Sequence, residues 1–274
     1  MIEEEIVFPR IDLTRLAVPL DRCVVAPLGS ITQELLDMLE KGDFDQAPVV
    51  KDGIPIGVIS RQHLRELHEK HIALTGQDPE INRVHLEPVT EFDKVLDVLA
   101  EHQAAIVRGT VNERVEYVGL VTRSDLNKHP VRVMAYEILA RFEMALAQLV
   151  AETFSDPWEW LKHLDDDRKA RILGYWELAK RRNVDTGPVA SITLTELNQV
   201  LKQEKQLYRR LGLTEKTVKK LTNSLPEFRN RVMHPVRPLV TDGESCSQLK
   251  NALCAALELT QRTESALTGG CINP

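Results

Sequence analysis

The sequence has few cysteines and few aromatic residues. Only 4 of its 274 residues are cysteine, and aromatic residues make up 5%. Cys23, Cys246, Cys254 and Cys271 form no CxxC pair and show no spacing typical of a metal site. This pattern argues against zinc binding and against the disulfide framework of a small secreted protein. We expect unpaired thiols and no bound metal.

Long apolar runs are also absent. The most hydrophobic helix candidate, residues 131–154, carries Arg132, Glu137, Arg141 and Glu143, which are too many charges for a bilayer-spanning segment. The opening stretch MIEEEIVFPR is acidic, whereas a signal peptide begins with basic residues followed by an apolar run. These features predict a cytoplasmic protein that does not enter a membrane.

Charge is distributed unevenly along the chain. Residues 1–130 contain 14 Lys and Arg against 23 Asp and Glu, while residues 131–274 contain 21 against 18. Within residues 180–237 the balance is 13 basic to 5 acidic residues. Such a basic stretch attracts polyanions, although solvated helix faces produce similar runs.

The first half contains an internal repeat. Residues 26–64 align with residues 87–126: LLDML matches VLDVL, APVV matches AAIV, and IGVIS matches VGLVT. Each copy predicts an amphipathic helix, a buried strand, a hairpin, a second strand and the start of another helix. We expect glycine to form the hairpin turns, at Lys51-Asp52-Gly53 and between Arg108-Gly109-Thr110 and Arg114. Neither copy alone can bury a good core, so the two are expected to pack together.

The second copy ends in glycine, two apolar residues, threonine, and an aspartate three positions further on. This pattern and the repeat resemble a tandem pair of cystathionine-β-synthase (CBS) domains within residues 1–130, with copies at about 10–70 and 84–130. The resemblance implies a regulatory site for an adenine nucleotide, AMP, ADP or ATP. At that site Gly119 would let the ligand approach the backbone, Thr122 would offer a hydroxyl to phosphate, and Asp125 would accept both ribose hydroxyls. A helix beginning near Ser124 would direct its N-terminal dipole at phosphate.

The first copy departs from this pattern. It has Gly57 and Ser60, but His63 stands where the aspartate is expected, and an imidazole cannot accept two hydroxyl donors as a carboxylate does. We therefore expect one nucleotide site. Two alternatives stay open: Asp125 serves only as a helix cap, or the whole pair has a structural or dimerising role.

After Pro130 the apolar residues recur at three and four positions, which predicts helices. The first covers about 131–154. Ser155 to Glu159, Thr193 to Glu196 and Ser224 to Glu227 have the pattern of capping boxes. Asp165, Asp166 and Asp167 are expected to form a capped, solvated joint. We predict that residues 131–274 form an all-α antiparallel bundle of about five helices, so that the whole chain is α+β.

The stretch LPEFRNRVMHPV, residues 225–236, places Arg229 and Asn230 before His234. The spacing of an arginine and a histidine separated by four to six residues occurs four times, but only here within the helical, basic part of the chain. In that setting it resembles the HEPN family (higher eukaryotes and prokaryotes nucleotide-binding domain). The resemblance implies a metal-independent endoribonuclease that acts as a homodimer on RNA, with no cofactor for catalysis. Family members also suggest an antiviral or growth-arrest role and an antitoxin partner.

The chemistry suits these residue types. Histidine exchanges protons near neutral pH, so His234 can act as base or acid toward an RNA 2′-hydroxyl. Arg229 can pair with phosphoryl oxygens, and Asn230 can orient the imidazole or the phosphate. Arg229 and His234 would lie about 140° apart on a helix, but Pro235 disfavours helical geometry at His234. In a dimer, Glu137, Arg141 or Glu143 could line the same groove.

The overall hypothesis is a ribonuclease controlled by a nucleotide sensor. One alternative is a non-catalytic helical domain that dimerises or binds RNA, in which His234 caps a helix while Arg229 and Arg231 form surface ion pairs with Glu227 or neighbouring acids. A second alternative is a nucleotide-responsive regulator of another protein.

Overall fold

The computed structural model describes residues 6–111, 114–184 and 186–269, which form two compact units. The first unit comprises Val7–Arg132 and Pro238–Lys250. The second comprises Val133–Arg237 and the described residues from Asn251 onward, together with Ile6. The chain thus combines a mixed α and β unit with a helical one, which agrees with the predicted α+β class at this coarse level.

The first unit is built from short elements in a repeated order. It begins with β1 (Arg10–Asp12), β2 (Val18–Pro19) and two 3-10 helices, Leu13–Arg15 and Leu20–Arg22. The first copy consists of β3 (Ala26–Pro27), α1 (Gln33–Lys41), β4 (Gln46–Lys51), β5 (Ile54–Ser60) and α2 (Arg61–Glu69). The second consists of β6 (His85–Leu86), β7 (Val89–Glu91), α3 (Phe92–Glu101), β8 (Ala104–Val111), β9 (Arg114–Thr122) and a 3-10 helix, Arg123–Asn127.

Strand pairing confirms the internal repeat. β3 is parallel to β4 and β4 antiparallel to β5; in the same way β6 is parallel to β8 and β8 antiparallel to β9. Each copy also has a register shift at the corresponding place, between Val49 and Val50 and between Val107 and Arg108. The two copies pack together through a buried cluster of Val58, Ala104, Ile106 and Leu120. The predicted packing of the two copies is therefore present.

Both predicted hairpins are present, since β4 is antiparallel to β5 and β8 to β9, but the turn role predicted for Gly109 is wrong. Asp52 and Gly53 have φ angles of 51° and 78°, as a tight turn between β4 and β5 requires. Gly109, in contrast, lies inside β8 and pairs with Glu116, because β8 continues to Val111. A Cβ on Gly109 would come within 2.9 Å of Pro88 Cγ, so the absence of a side chain serves close packing there. Residues 112 and 113 lie outside the described part of the chain.

The segment from Pro238 to Lys250, here called the return segment, packs onto the second copy of the repeat. Leu239, Val240, Cys246 and Leu249 are buried in it. Asn127 binds its backbone through three hydrogen bonds, accepting from Leu239 N (2.6 Å) and Val240 N (3.0 Å) and donating to Val240 O (2.8 Å). The first unit is therefore completed by residues that lie more than a hundred positions further along the chain.

The second unit is helical in its described part. Its helices are α4 (His129–Thr153), α5 (Trp158–Leu161), α6 (Asp166–Arg181), α7 (Leu194–Gln203), α8 (Lys205–Arg210), α9 (Glu215–Thr222), α10 (Leu225–Met233) and α11 (Gly243–Leu267), with a 3-10 helix at Pro188–Ser191. The first residues of α4 and of α11 belong to the first unit. The sequence predicted about five helices; the larger number arises because segments read as single helices are interrupted, as at Glu204, whose extended backbone separates α7 from α8.

Two of the predicted helix caps are confirmed. Asp165 caps α6 by accepting a hydrogen bond from Arg168 N, and Thr193 and Glu196 form a reciprocal capping box on α7. The boxes predicted at Ser155 to Glu159 and Ser224 to Glu227 are wrong. Asp156 instead accepts a hydrogen bond from Trp158 N, and Ser224 has a helical backbone and makes no cap. No helix in the described residues is long and apolar enough to cross a membrane.

Candidate functional site

A cavity of about 610 Å³ lies within the first unit, between its two repeats. Its volume is in the range of small-molecule sites. It is lined by Val18, Cys23, Val24, Gly42, Asp43, Phe44, Asp45, Gln46, Gln103, Leu120, Thr122, Arg123, Ser124, Asp125 and Thr241. The wall therefore combines apolar side chains, which can hold a flat base, with hydroxyl and charged groups.

Thr122 and Asp125, both predicted site residues, are brought together at this cavity. Asp125 is 4% exposed, and its Oδ2 accepts hydrogen bonds from Thr122 N (2.7 Å) and Thr122 Oγ1 (2.9 Å). Its Oδ1 pairs with Lys128 Nζ at 2.7 Å. The side chains thus form a capping box on the 3-10 helix Arg123–Asn127. The cap alternative for Asp125 is part of the structure.

These contacts limit what Asp125 can offer a ligand. A carboxylate has about four acceptor positions, and three are occupied by Thr122 and Lys128. In this arrangement one acceptor position of Asp125 remains, and the acceptance of ribose hydroxyls by Asp125 stays a prediction. The helix expected near Ser124 is a five-residue 3-10 helix, too short to provide a developed dipole.

Gly119 is not among the residues that line the cavity, and its predicted role in admitting a ligand stays a prediction. It pairs with Pro19 in β2, and a Cβ at this position would lie 2.3 Å from Val18 O. Gly57 is the counterpart in the first copy, where a Cβ would lie 2.5 Å from Asn82 O. In both copies the absence of a side chain lets another backbone segment of this chain pass close by.

His63, which replaces the expected aspartate in the first copy, has a partner of its own. Its Nε2 lies 3.1 Å from Asp78 Oδ2, and the two side chains are largely buried. Ser60 caps α2 by accepting a hydrogen bond from His63 N. The first-copy residues are thus engaged with one another, which is compatible with a single nucleotide site in the second copy.

Arg123 is the one cation in the described wall of the cavity. Its Nε donates to Leu99 O (2.6 Å) and its Nη2 to Ala100 O (3.0 Å), so it binds the carboxyl end of α3. The opposite charge is more abundant, since Asp43, Asp45 and Asp125 all line the cavity. Burial, with the charges of Asp21 and Asp125, raises the pKa of Cys23 to about 11. The Cys23 thiol is therefore uncharged at neutral pH.

Two contributions to this wall were not predicted from the sequence. Thr241 comes from the return segment, and no local pattern connects it with residues 122–125. Gln46 and Gln103, one from each repeat, meet there with Nε2 and Oε1 2.5 Å apart. Their equivalent positions in the aligned copies, at the start of β4 and just before β8, were the only available signal.

The second group of predicted site residues lies at α10 in the helical unit. Arg229 is half-buried and its charge acts on Glu143 of α4. Burial raises the pKa of Glu143, while Arg229 and a hydrogen bond from the Leu194 backbone oppose the rise. Glu143 thus also stabilises the start of α7. Arg231 pairs with Glu227 at 2.7 Å, as the ion-pair alternative expected.

His234 ends α10 and is exposed, as is Asn230. Its φ and ψ of −110° and 92° are extended, which confirms that Pro235 takes it out of helical geometry. Its backbone N donates to Asn230 O at 3.1 Å. Within the described residues no side-chain hydrogen bond joins Arg229, Asn230 and His234, so a single chain does not assemble them into a bonded site. Arg141, another predicted groove residue, is bound to Glu264.

Comparison with known proteins identifies one region. The family described as CBS domain matches residues 17–70, which contain β2 and the first copy of the repeat. That match does not extend to the second copy or to the helical unit. No curated protein matches the chain. A CBS domain is therefore present near the N-terminus, and such a domain indicates a regulatory role in sensing an adenine nucleotide.

Proposed function

We propose that this protein is a regulator that binds an adenine nucleotide in the cavity between two CBS-like copies. The observation that carries the proposal is the cavity of about 610 Å³ at Thr122, Ser124 and Asp125, next to the matched CBS domain. Apolar groups at Val18, Val24 and Leu120 suit an adenine ring, and the two hydroxyls suit a sugar or a phosphate.

The backbone of the second copy supports this proposal. Its strand order, register shift and glycine position repeat those of the matched copy. A pair of such copies with one site is thus the proposed architecture of the first unit. The one open acceptor position on Asp125 is assigned to a ribose hydroxyl.

Replacing Thr122 by Val removes a hydroxyl at nearly constant shape. We expect nucleotide affinity to fall about tenfold, because one hydrogen bond to a polar or charged ligand group contributes about 1.4 kcal/mol. Isothermal titration calorimetry of the full chain with AMP, ADP and ATP measures it. Ser60→Ala, the matched change in the first copy, should leave affinity unchanged. Absence of binding to the wild-type chain contradicts the proposal, and an equal loss in both variants contradicts the choice of copy.

A second candidate function concerns the helical unit. We propose that it is a metal-independent endoribonuclease that works as a homodimer, with the CBS-like unit controlling its activity. The observation that favours it is the exposed, non-helical His234 beside exposed Asn230, in a stretch rich in basic residues. His234 would take the proton of a 2′-hydroxyl, whose oxygen bonds to phosphorus as the bond to the 5′-oxygen breaks. The 5′-oxygen then takes up a proton, and a 2′,3′-cyclic phosphate remains.

His234→Ala tests this function. We expect RNA cleavage to fall at least ~100-fold, in the range typical for loss of a general acid or base. Cleavage of labelled RNA in the presence of EDTA, with analysis of the product ends, provides the measurement. Arg231→Ala is the matched control, since Arg231 lies on the same helix and pairs with Glu227. Equal cleavage by wild type and His234→Ala, or none by either, would favour a non-catalytic dimerising or RNA-binding role.

A further inference from the structure

The charges around the cavity restrict the ligand that the wall can hold. Three carboxylates, Asp43, Asp45 and Asp125, face one guanidinium, Arg123, in the described wall. Asp45 is paired with Arg61 at 2.8 Å, and Asp125 with Lys128 at 2.7 Å. Arg61 and Lys128, which lie outside the wall, thus balance the charges of Asp45 and Asp125 and are not available to a ligand.

Arg123 has little capacity left for phosphate. Its Nε and one Nη2 proton are committed to the carbonyls of Leu99 and Ala100, where its charge also opposes the negative end of α3. Nη1 and a single Nη2 proton remain. These donors can serve one phosphate group, which carries about −1.5 to −2 charges at pH 7. They cannot balance the charge of a triphosphate chain.

Asp43 adds a specific repulsion. It is exposed, and its backbone has a φ of 52°, in the turn between α1 and β4. Like charges near a binding site disfavour a polyanion, and the cost rises with each added phosphate.

We propose that the cavity selects an adenosine derivative with at most one phosphate and rejects ADP and ATP, because Asp43 repels the additional phosphate groups and Arg123 has few donors left for them. This selection rests on the proposed nucleotide-binding function and names its ligand class.

The test is titration calorimetry of the full chain with AMP and ATP, each with and without Mg²⁺. We expect AMP to bind at least ~10-fold more tightly than ATP in both conditions, which corresponds to about 1.4 kcal/mol. In Asp43→Asn the ratio should fall to less than about threefold, since a neutral amide of the same size replaces the charge. Asparagine also tolerates the positive φ at residue 43.

Asp52→Asn is the matched control. Asp52 is exposed and has a φ of 51°, but it lies in the β4–β5 turn and does not line the cavity. It should leave the AMP to ATP ratio unchanged. Binding of neither nucleotide to the wild-type chain would overturn the proposed function itself. Equal affinity for both, ATP binding restored by Mg²⁺, or a ratio unaffected by Asp43→Asn would overturn the selection alone.

Discussion

Replacing Asn127 by Leu should separate the return segment from the rest of the first unit. The variant loses three hydrogen bonds and leaves two N–H groups and one carbonyl of the segment without their partner. We expect a loss of about 3 kcal/mol in the free energy that holds the segment in place, since each unmet buried group costs about 1–3 kcal/mol and water satisfies some of them. Amide exchange at Leu239 and Val240 should then accelerate on the order of 100-fold.

The same variant has a functional consequence. Thr241 lines the cavity, so release of the segment removes part of its wall. We expect AMP affinity to fall together with amide protection. Asn251→Leu makes the same chemical change at an exposed position of α11 and should alter neither property. Unchanged exchange at Leu239 and Val240 in Asn127→Leu would show that Asn127 does not hold the segment.

Replacing Arg171 by Leu should strongly destabilise the helical unit. Arg171 Nη2 binds both carboxylate oxygens of Glu196, at 2.7 and 2.6 Å, and Nη1 binds Ser191 O. The Glu196 side chain is only 5% exposed, so the variant leaves a buried carboxylate without its cation. The expected loss is about 3 kcal/mol, at the low end for a broken buried pair because Arg171 is 36% exposed. Urea-induced unfolding at pH 7 measures it.

The effect should depend on pH. Burial alone would raise the pKa of Glu196, but hydrogen bonds from Arg171 and Thr193 outweigh burial and lower it below 4.5. The ionised pair therefore stabilises the fold above pH 4.5, and its contribution is lost as the pH falls through the lowered value. Wild type and Arg171→Leu should accordingly converge in acid.

A second substitution separates charge from packing. Glu196→Gln keeps an oxygen for Thr193 N but removes the charge, so adding it to Arg171→Leu should recover much of the lost stability at pH 7. If the double variant is as unstable as Arg171→Leu alone, the lost packing of the arginine and not the buried charge is responsible.

The first unit was predictable wherever repetition supplied the information. The order of helix, strand, hairpin and strand followed from two aligned copies, and the Asp52-Gly53 turn followed from local backbone preference. Gly109 was wrongly predicted to form a turn. Glycine occurs both in turns and where two parts of a chain pack closely, and the sequence alone does not show that Gly109 packs against Pro88.

Of the candidate sites, the part contained in one short stretch was predictable. Thr122 and Asp125 are three residues apart and meet as expected, and the extended backbone of His234 followed from Pro235. Lys128 at Asp125 was not anticipated, and Glu143 was named only as one of three groove candidates, because such contacts reflect how side chains are oriented after the chain has folded. Thr241 was beyond any local pattern, since it lies more than a hundred residues from the other wall residues.

The return segment imposes an order on the folding of this protein during its synthesis. A ribosome releases both repeats first, yet Leu239, Val240 and Thr241 follow only after all of residues 133–237 have been made. During that interval the nascent N-terminal unit lacks the residues that cover Leu99 and close its cavity. Its completion during synthesis therefore waits on translation of the helices encoded in between.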